Sequence, residues 1–136
     1  MRSKQVVTAE DAARISEACR QEADRNGWPI SVAVVDDGGH VLSLIRFDGA
    51  GYATPTTALR KAQTSAMTRK PSGAAETATA ARLPMLALSD RMPIQGALPI
   101  LIDGECVGAV GVSGVTSAQD EQIAGAGIAV LGIAAG

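Results

Sequence analysis

Few residues in this chain belong to types that do chemistry. There is one histidine, His40, and two cysteines, Cys19 and Cys106. A multi-histidine metal site within one chain is excluded, whereas haem iron needs only one axial imidazole. His40 ends the run Asp36-Asp37-Gly38-Gly39-His40. Adjacent carboxylates beside a histidine suit acid–base or metal chemistry. Asp and Gly are also what a tight hairpin turn requires, and neighbouring carboxylates on an extended backbone point to opposite faces. The turn is the main reading, with Asp36 and His40 kept as candidates at the edge of a site. No Ser-His-Asp order, CxxC pair, Walker loop or HExxH motif is present. No catalytic residue is assigned.

Cations on otherwise apolar or small-residue elements form the second group. Arg46 stands near the end of the apolar run 41–47, just before Asp48-Gly49. Its planar fork suits a carboxylate. Thr57, Lys61, Thr64 and Thr68 recur at i, i+4, i+7 and i+11, making one stripe on a helix. That stripe is either a solvated face or a pocket wall with Lys61 as its cation. The third group is Gly108-Ala109-Val110-Gly111-Val112-Ser113-Gly114, leading from a strand into a helix. A glycine-rich strand-to-helix turn packs closely against a neighbour, or presents backbone N–H groups to an anion. It does not match G-x-G-x-x-G, and one following helix cannot complete a dinucleotide site. Together Arg46, Lys61, Thr64, Gly111, Ser113 and Gly114, edged by Asp36 and His40, form a candidate site for an anionic group.

The elements that must position these residues follow from periodicity. Thr8 with Asp11 is a partial capping box, and Ala9, Ala12, Ile15, Cys19 and Ala23 keep helical spacing up to Gly27. This predicts a helix over about 9–26. Residues 30–35 and 40–47 read as a hairpin about Asp36–Gly39. Thr54-Pro55 starts a helix over about 55–69, and Ala58, Ala62, Ser65 and Ala66 give it a small-residue face. A short Ala-rich helix over 73–82 follows, and residues 83–97 have room for one short strand. A second hairpin joins 98–102 to 106–112 through Asp103-Gly104. Ser117 with Asp120 is a second partial capping box, opening a last helix over about 118–132. Its Gly125 and Gly127 imply close packing, since each costs about 1 kcal/mol against Ala in a helix. Two hairpins mean a mainly antiparallel sheet. Helices on both faces would bury strands such as 41–45.

Composition bounds the rest. The chain has 136 residues, enough for one domain over 1–136, with 25 Ala and 15 Gly but one Trp, one Tyr and one Phe. Burial shared with other subunits is expected. A net charge of −2 offers no basic field for nucleic acid, and no apolar run suits a membrane span. The start leads into a helix rather than the apolar core of a signal peptide, so a cytoplasmic location is expected, with both thiols reduced.

Ordered motifs carry a resemblance. They are Gly27-Trp28-Pro29 before Ala33-Val34-Val35-Asp36 and Gly38-Gly39-His40; Arg46 with Asp48-Gly49-Ala50; Lys61-Ala62 with Thr64, then Arg69 and Pro71; and Leu98-Pro99-Ile100, Asp103-Gly104, the run 107–114 and Asp120. In this order they resemble the GlcG/HbpS-like haem-binding family, which includes the C-terminal domain of PduO-type proteins, over about residues 7–132. The resemblance implies a profilin-like α-β-α sandwich with a five-stranded antiparallel sheet. It also implies a homo-oligomer, a tetramer or octamer, and haem or a related tetrapyrrole as ligand. Some members degrade haem oxidatively. Members usually have two glycines where this chain has Gly96-Ala97, and a Phe is common where Met67 stands. Fold does not fix function, so an enzyme for a small carboxylated or aromatic metabolite, or a structural subunit, stands beside the haem binder.

Overall fold

A computed structural model describes residues 1–133. Its elements are α1 (Ala9–Asn26), β1 (Ser31–Asp36), β2 (Val41–Arg46), α2 (Thr54–Thr68), α3 (Ser72–Ala81), a 3-10 turn (Leu83–Ala87), β3 (Ala97–Ile102), β4 (Glu105–Ser113) and α4 (Ser117–Ala129). The four strands form one antiparallel sheet in the order β2-β1-β4-β3. Strand alternation sends successive residues to opposite faces. Val32 and Val34 join Ile15, Cys19, Ile123 and Ile128 of α1 and α4. Ala33 and Val35 join Ala58, Ala62 and Ala66 of α2. The sheet is thus sandwiched between helices, with a bulky core on one face and an alanine core on the other.

The alanine face is thin because β4 has glycine where α2 crosses it. A Cβ on Gly111 would lie 2.2 Å from the Ala58 carbonyl oxygen and 2.7 Å from the Ala62 nitrogen. Gly127 does the same for α4 on α1: a Cβ there would lie 2.4 Å from Cys19 Sγ. Both thiols are free and buried. Burial pushes the Cys19 thiol up to about 12, so it stays protonated.

Several sequence expectations change. The described residues hold four strands, not five. The stretch after α3, which had room for a short strand, forms the 3-10 turn and irregular chain instead. Pro84 and Pro93 remove two ladder donors there. The run 41–45 is not buried on both sides. It is the free edge of the sheet, with Val41, Leu44 and Ile45 exposed, and the strand starts at Val41 rather than His40. Thr8 and Asp11 make a complete capping box. Asp serves at its third position because its carboxylate reaches the Thr8 N–H at 3.0 Å. The last helix is capped by Thr116 with Gln119, one residue before the expected pair, and ends at Ala129. Thr54 lies inside α2. Its hydroxyl donates to the Gly51 carbonyl at 2.7 Å and meets the Ser31 hydroxyl at 2.8 Å. Gly96 takes the positive φ at the entry to β3, so Ala97 is accommodated in ordinary extended backbone.

Candidate functional site

The eight residues read as one site lie in three places. Lys61, Thr64 and Gly111 are interior. Lys61 Nζ donates to Asp120 Oδ2 at 3.0 Å and to the Val112 carbonyl at 3.1 Å, with both charged side chains only 3% exposed. Gly96 makes this reach possible, because a Cβ there would sit 2.7 Å from Lys61 Nζ. The Thr64 hydroxyl donates to the Arg60 carbonyl and accepts the Met92 N–H, both at 2.8 Å. The Thr57–Thr68 stripe therefore turns inward at its middle and pins the chain that precedes β3.

Asp120 explains why the polar turn and the buried cation coincide. Its second oxygen accepts the Val115 N–H at 3.2 Å. The carboxylate that the glycine-rich exit of β4 and Lys61 could together hold is the chain's own. Burial raises the Asp120 carboxyl above its ordinary range, while Lys61 and the Val115 N–H oppose the shift.

Arg46, Ser113 and Gly114 form the second place. Ser31 pairs with Arg46 on one side and Ser113 on the other, so the three strands end in one row. The Arg46 guanidinium lies 4.8 Å above the exposed Tyr52 ring. A Cβ on Gly114 would meet the Pro29 carbonyl at 2.3 Å, so this bend lets two chain segments touch. Asp36 and His40 are the third place, at the other end of β1. Five residues at about 3.3 Å each put them roughly 17 Å from that row. Asp36 Oδ1 accepts the N–H groups of Gly38 and His40, both at 2.9 Å, as a hairpin turn demands. His40 is exposed. No cluster of three or more His, Cys, Asp or Glu suited to a metal ion occurs among the described residues.

A cavity that sequence reasoning did not identify lies between the end of α2, α3 and the 3-10 turn. Its volume is about 350 Å³, with walls including Ala74, Ala78, Met85 and Leu88 and cations Lys70 and Arg91. A second cleft of about 180 Å³ shares Met85 and Leu88 and adds Arg82. Leu83 and Leu86 are exposed beside it, at 65% and 63%. Arg91 pairs with Asp90 at 3.1 Å, while no carboxylate lies within 4 Å of Lys70 or Arg82 among the described residues. This corner can hold a small apolar group with an acidic group at its rim. One signal was available in sequence: Leu83, Met85, Leu86 and Leu88 crowd a proline-punctuated stretch that fits neither helix nor strand periodicity.

The family model for the haem-degrading protein HbpS-like family matches residues 7–129. The chain belongs to this family. Protein GlcG of Escherichia coli K12 is 38% identical over 114 residues, covering 83% of this chain and 85% of its own. The crystal structure of HbpS superposes with a TM-score of 0.91 at 32% identity, covering 98% of this chain and 95% of that one. The crystal structure of a PduOC–haem complex shares the fold, with a TM-score of 0.86 at 23% identity over 97% of this chain and 98% of that one. No helix among the described residues is long and apolar enough to cross a membrane.

Proposed function

We propose that this protein is a haem or tetrapyrrole binder, and that the α3 corner is where the ligand seats. The observation that carries the reading is the apolar cavity rimmed by Lys70 and Arg91, with Arg82 in the adjoining cleft, in a chain whose net charge is −2. A porphyrin needs an apolar wall and cations for its propionates, and this corner supplies both. Membership of the family and the haem complex of a fold relative support the same ligand class. Haemin titration followed by the Soret band tests it. Lys70→Ala with Arg91→Ala is expected to weaken binding about tenfold, or roughly 1.4 kcal/mol. Arg46→Ala is the comparison arm. A loss confined to Arg46→Ala moves the ligand to the strand-end row, and no uptake of haemin by the wild type overturns the reading. Bleaching of the bound Soret band in air with a reductant adds haem degradation to it.

A second reading, an enzyme for a small carboxylated or aromatic metabolite, is favoured by the cavity's modest size. About 350 Å³ is at the small end of ligand pockets. We further propose a homo-oligomer, a tetramer or octamer, in a reducing cytoplasm. Two free thiols support the compartment. The unpaired β2 edge with exposed Val41, Leu44 and Ile45 supports the assembly. Light scattering at micromolar concentration is expected to give a multiple of 13.8 kDa, and the monomer mass refutes it.

A further inference from the structure

We infer that the α3 corner takes a small aromatic carboxylic acid with a second polar group far from its carboxylate, and that Thr79 selects for that group. The inference rests on the metabolite reading of this corner and stands apart from the haem one. Of the residues that line the cavity only Thr79 is buried, at 8% exposure, whereas Lys70 is exposed and Arg91 half-buried. The floor is therefore a threonine and the rim is cationic. Thr57, Thr64, Thr68 and Thr77 also sit in helices, and each donates its hydroxyl to the carbonyl one turn back. Thr79 makes no such bond, nor any other side-chain hydrogen bond among the described residues. No fully enclosed side-chain oxygen among those residues lacks a partner, so the Thr79 hydroxyl is open to the space it lines. A ligand with no polar atom at the floor displaces water and leaves that hydroxyl unpaired, which costs affinity. A ligand that bonds it recovers the cost.

The rest of the cavity suits such an acid. Thr64 and Ser65, adjacent and fully buried on α2, fix the backbone that carries both rim cations. The Ser65 hydroxyl donates to the Lys70 carbonyl at 2.7 Å, and the Thr64 hydroxyl accepts the N–H of Met92, next to Arg91, at 2.8 Å. Arg91 also meets its neighbour Asp90 at 3.1 Å, a largely exposed pair that a ligand carboxylate joins or displaces at little cost. Between rim and floor, Ala74 and Ala78 lie one turn apart on α3 and give a wall without protruding side chains. Met85 and Leu88 add apolar surface, and a thioether packs well on an aromatic ring. A volume of about 350 Å³ suits one substituted ring.

The test is calorimetric titration of the full chain with benzoate, para-hydroxybenzoate and the uncharged para-hydroxybenzamide. The wild type is expected to bind para-hydroxybenzoate about tenfold tighter than benzoate, the worth of one hydrogen bond. Thr79→Val keeps the shape of the floor and is expected to abolish that preference while leaving benzoate affinity unchanged. Its thermal midpoint is expected to match the wild type, because the hydroxyl it removes has no partner inside the fold. Lys70→Ala with Arg91→Ala is expected to weaken both acids and leave the benzamide unchanged. Equal affinities for the two acids in the wild type, or a preference that persists in Thr79→Val, overturn the inference while leaving the metabolite reading intact. A lowered midpoint in Thr79→Val overturns it too, since the hydroxyl is then bonded within the fold. Unchanged acid binding in the double variant places the acid elsewhere and overturns both. Binding of neither acid by the wild type also overturns both, and haemin uptake decides the haem reading separately.

Discussion

Lys61→Met is expected to destabilise the protein by about 3–5 kcal/mol, the cost of leaving one partner of a buried ion pair alone. Lys61 and Asp120 are each 3% exposed and lie 3.0 Å apart. Methionine fills most of the space but supplies no charge, so the Asp120 carboxylate keeps its desolvation without its cation. The loss depends on pH. Burial already raises the Asp120 carboxyl, and removing Lys61 removes an opposing cause. The folded chain then takes up a proton at higher pH than the unfolded chain, whose carboxyl titrates near the ordinary 3.8. The deficit is therefore full above the raised folded value and shrinks as pH falls through it. Urea unfolding at pH 7 and pH 4 checks this: the gap between wild type and Lys61→Met must be smaller at pH 4. Lys61→Met combined with Asp120→Leu is expected to recover most of the loss, because neither charge is then buried. Equal deficits at both pH values would show that shape alone is responsible.

Gly111→Ala is the second large effect, expected to cost about 3 kcal/mol or more, since the added methyl meets backbone rather than a movable side chain. Its Cβ would fall 2.2 Å from the Ala58 carbonyl oxygen, so either α2 lifts off β4 or the strand bends. Gly51→Ala is the control. It has an ordinary φ, and its Cβ would find only the Thr54 methyl at 3.6 Å. Guanidinium unfolding is expected to show a large fall in midpoint for Gly111→Ala and almost none for Gly51→Ala. A midpoint close to wild type in Gly111→Ala would mean that the α2–β4 seam has slack.

The sequence made local structure legible wherever a few adjacent residues decide it. Thr8, Asp11 and Gly27 set both ends of α1, and Asp103-Gly104 set the β3–β4 turn, because caps and turns depend on near neighbours. The layered helix–sheet–helix plan also followed from the element order. The site was less legible, because pairing between distant elements has no local signature. Lys61 and the glycine-rich exit of β4 do meet a carboxylate, but it is Asp120, which the sequence offered as a capping residue and a motif position and not as their partner. Arg46 and His40 are near in sequence yet sit at opposite ends of β2, because a strand carries its two ends apart. Residues 83–92 were opaque for a different reason. Their apolar side chains are not spent on the core, so no periodicity reveals them.

The alanine seam beneath α2 bears on how the molecule moves. Ala33, Ala58, Ala62, Ala66 and Ala109 have no rotamers to exchange, so only Val35 and Leu59 offer a side-chain rearrangement to absorb a shift of α2 against the sheet. The helix and the sheet are expected to move as one body. Freedom is left to α3 and the 3-10 turn, whose leucines are exposed and whose buried contacts are few. Such a segment opens locally at far lower free energy than the whole fold. The two walls of the α3 cavity thus belong to different cooperative units: Thr68 to the fixed one, Met85 and Leu88 to the yielding one. A ligand spanning them joins the two units, and part of its binding free energy is spent on ordering the wall that yields.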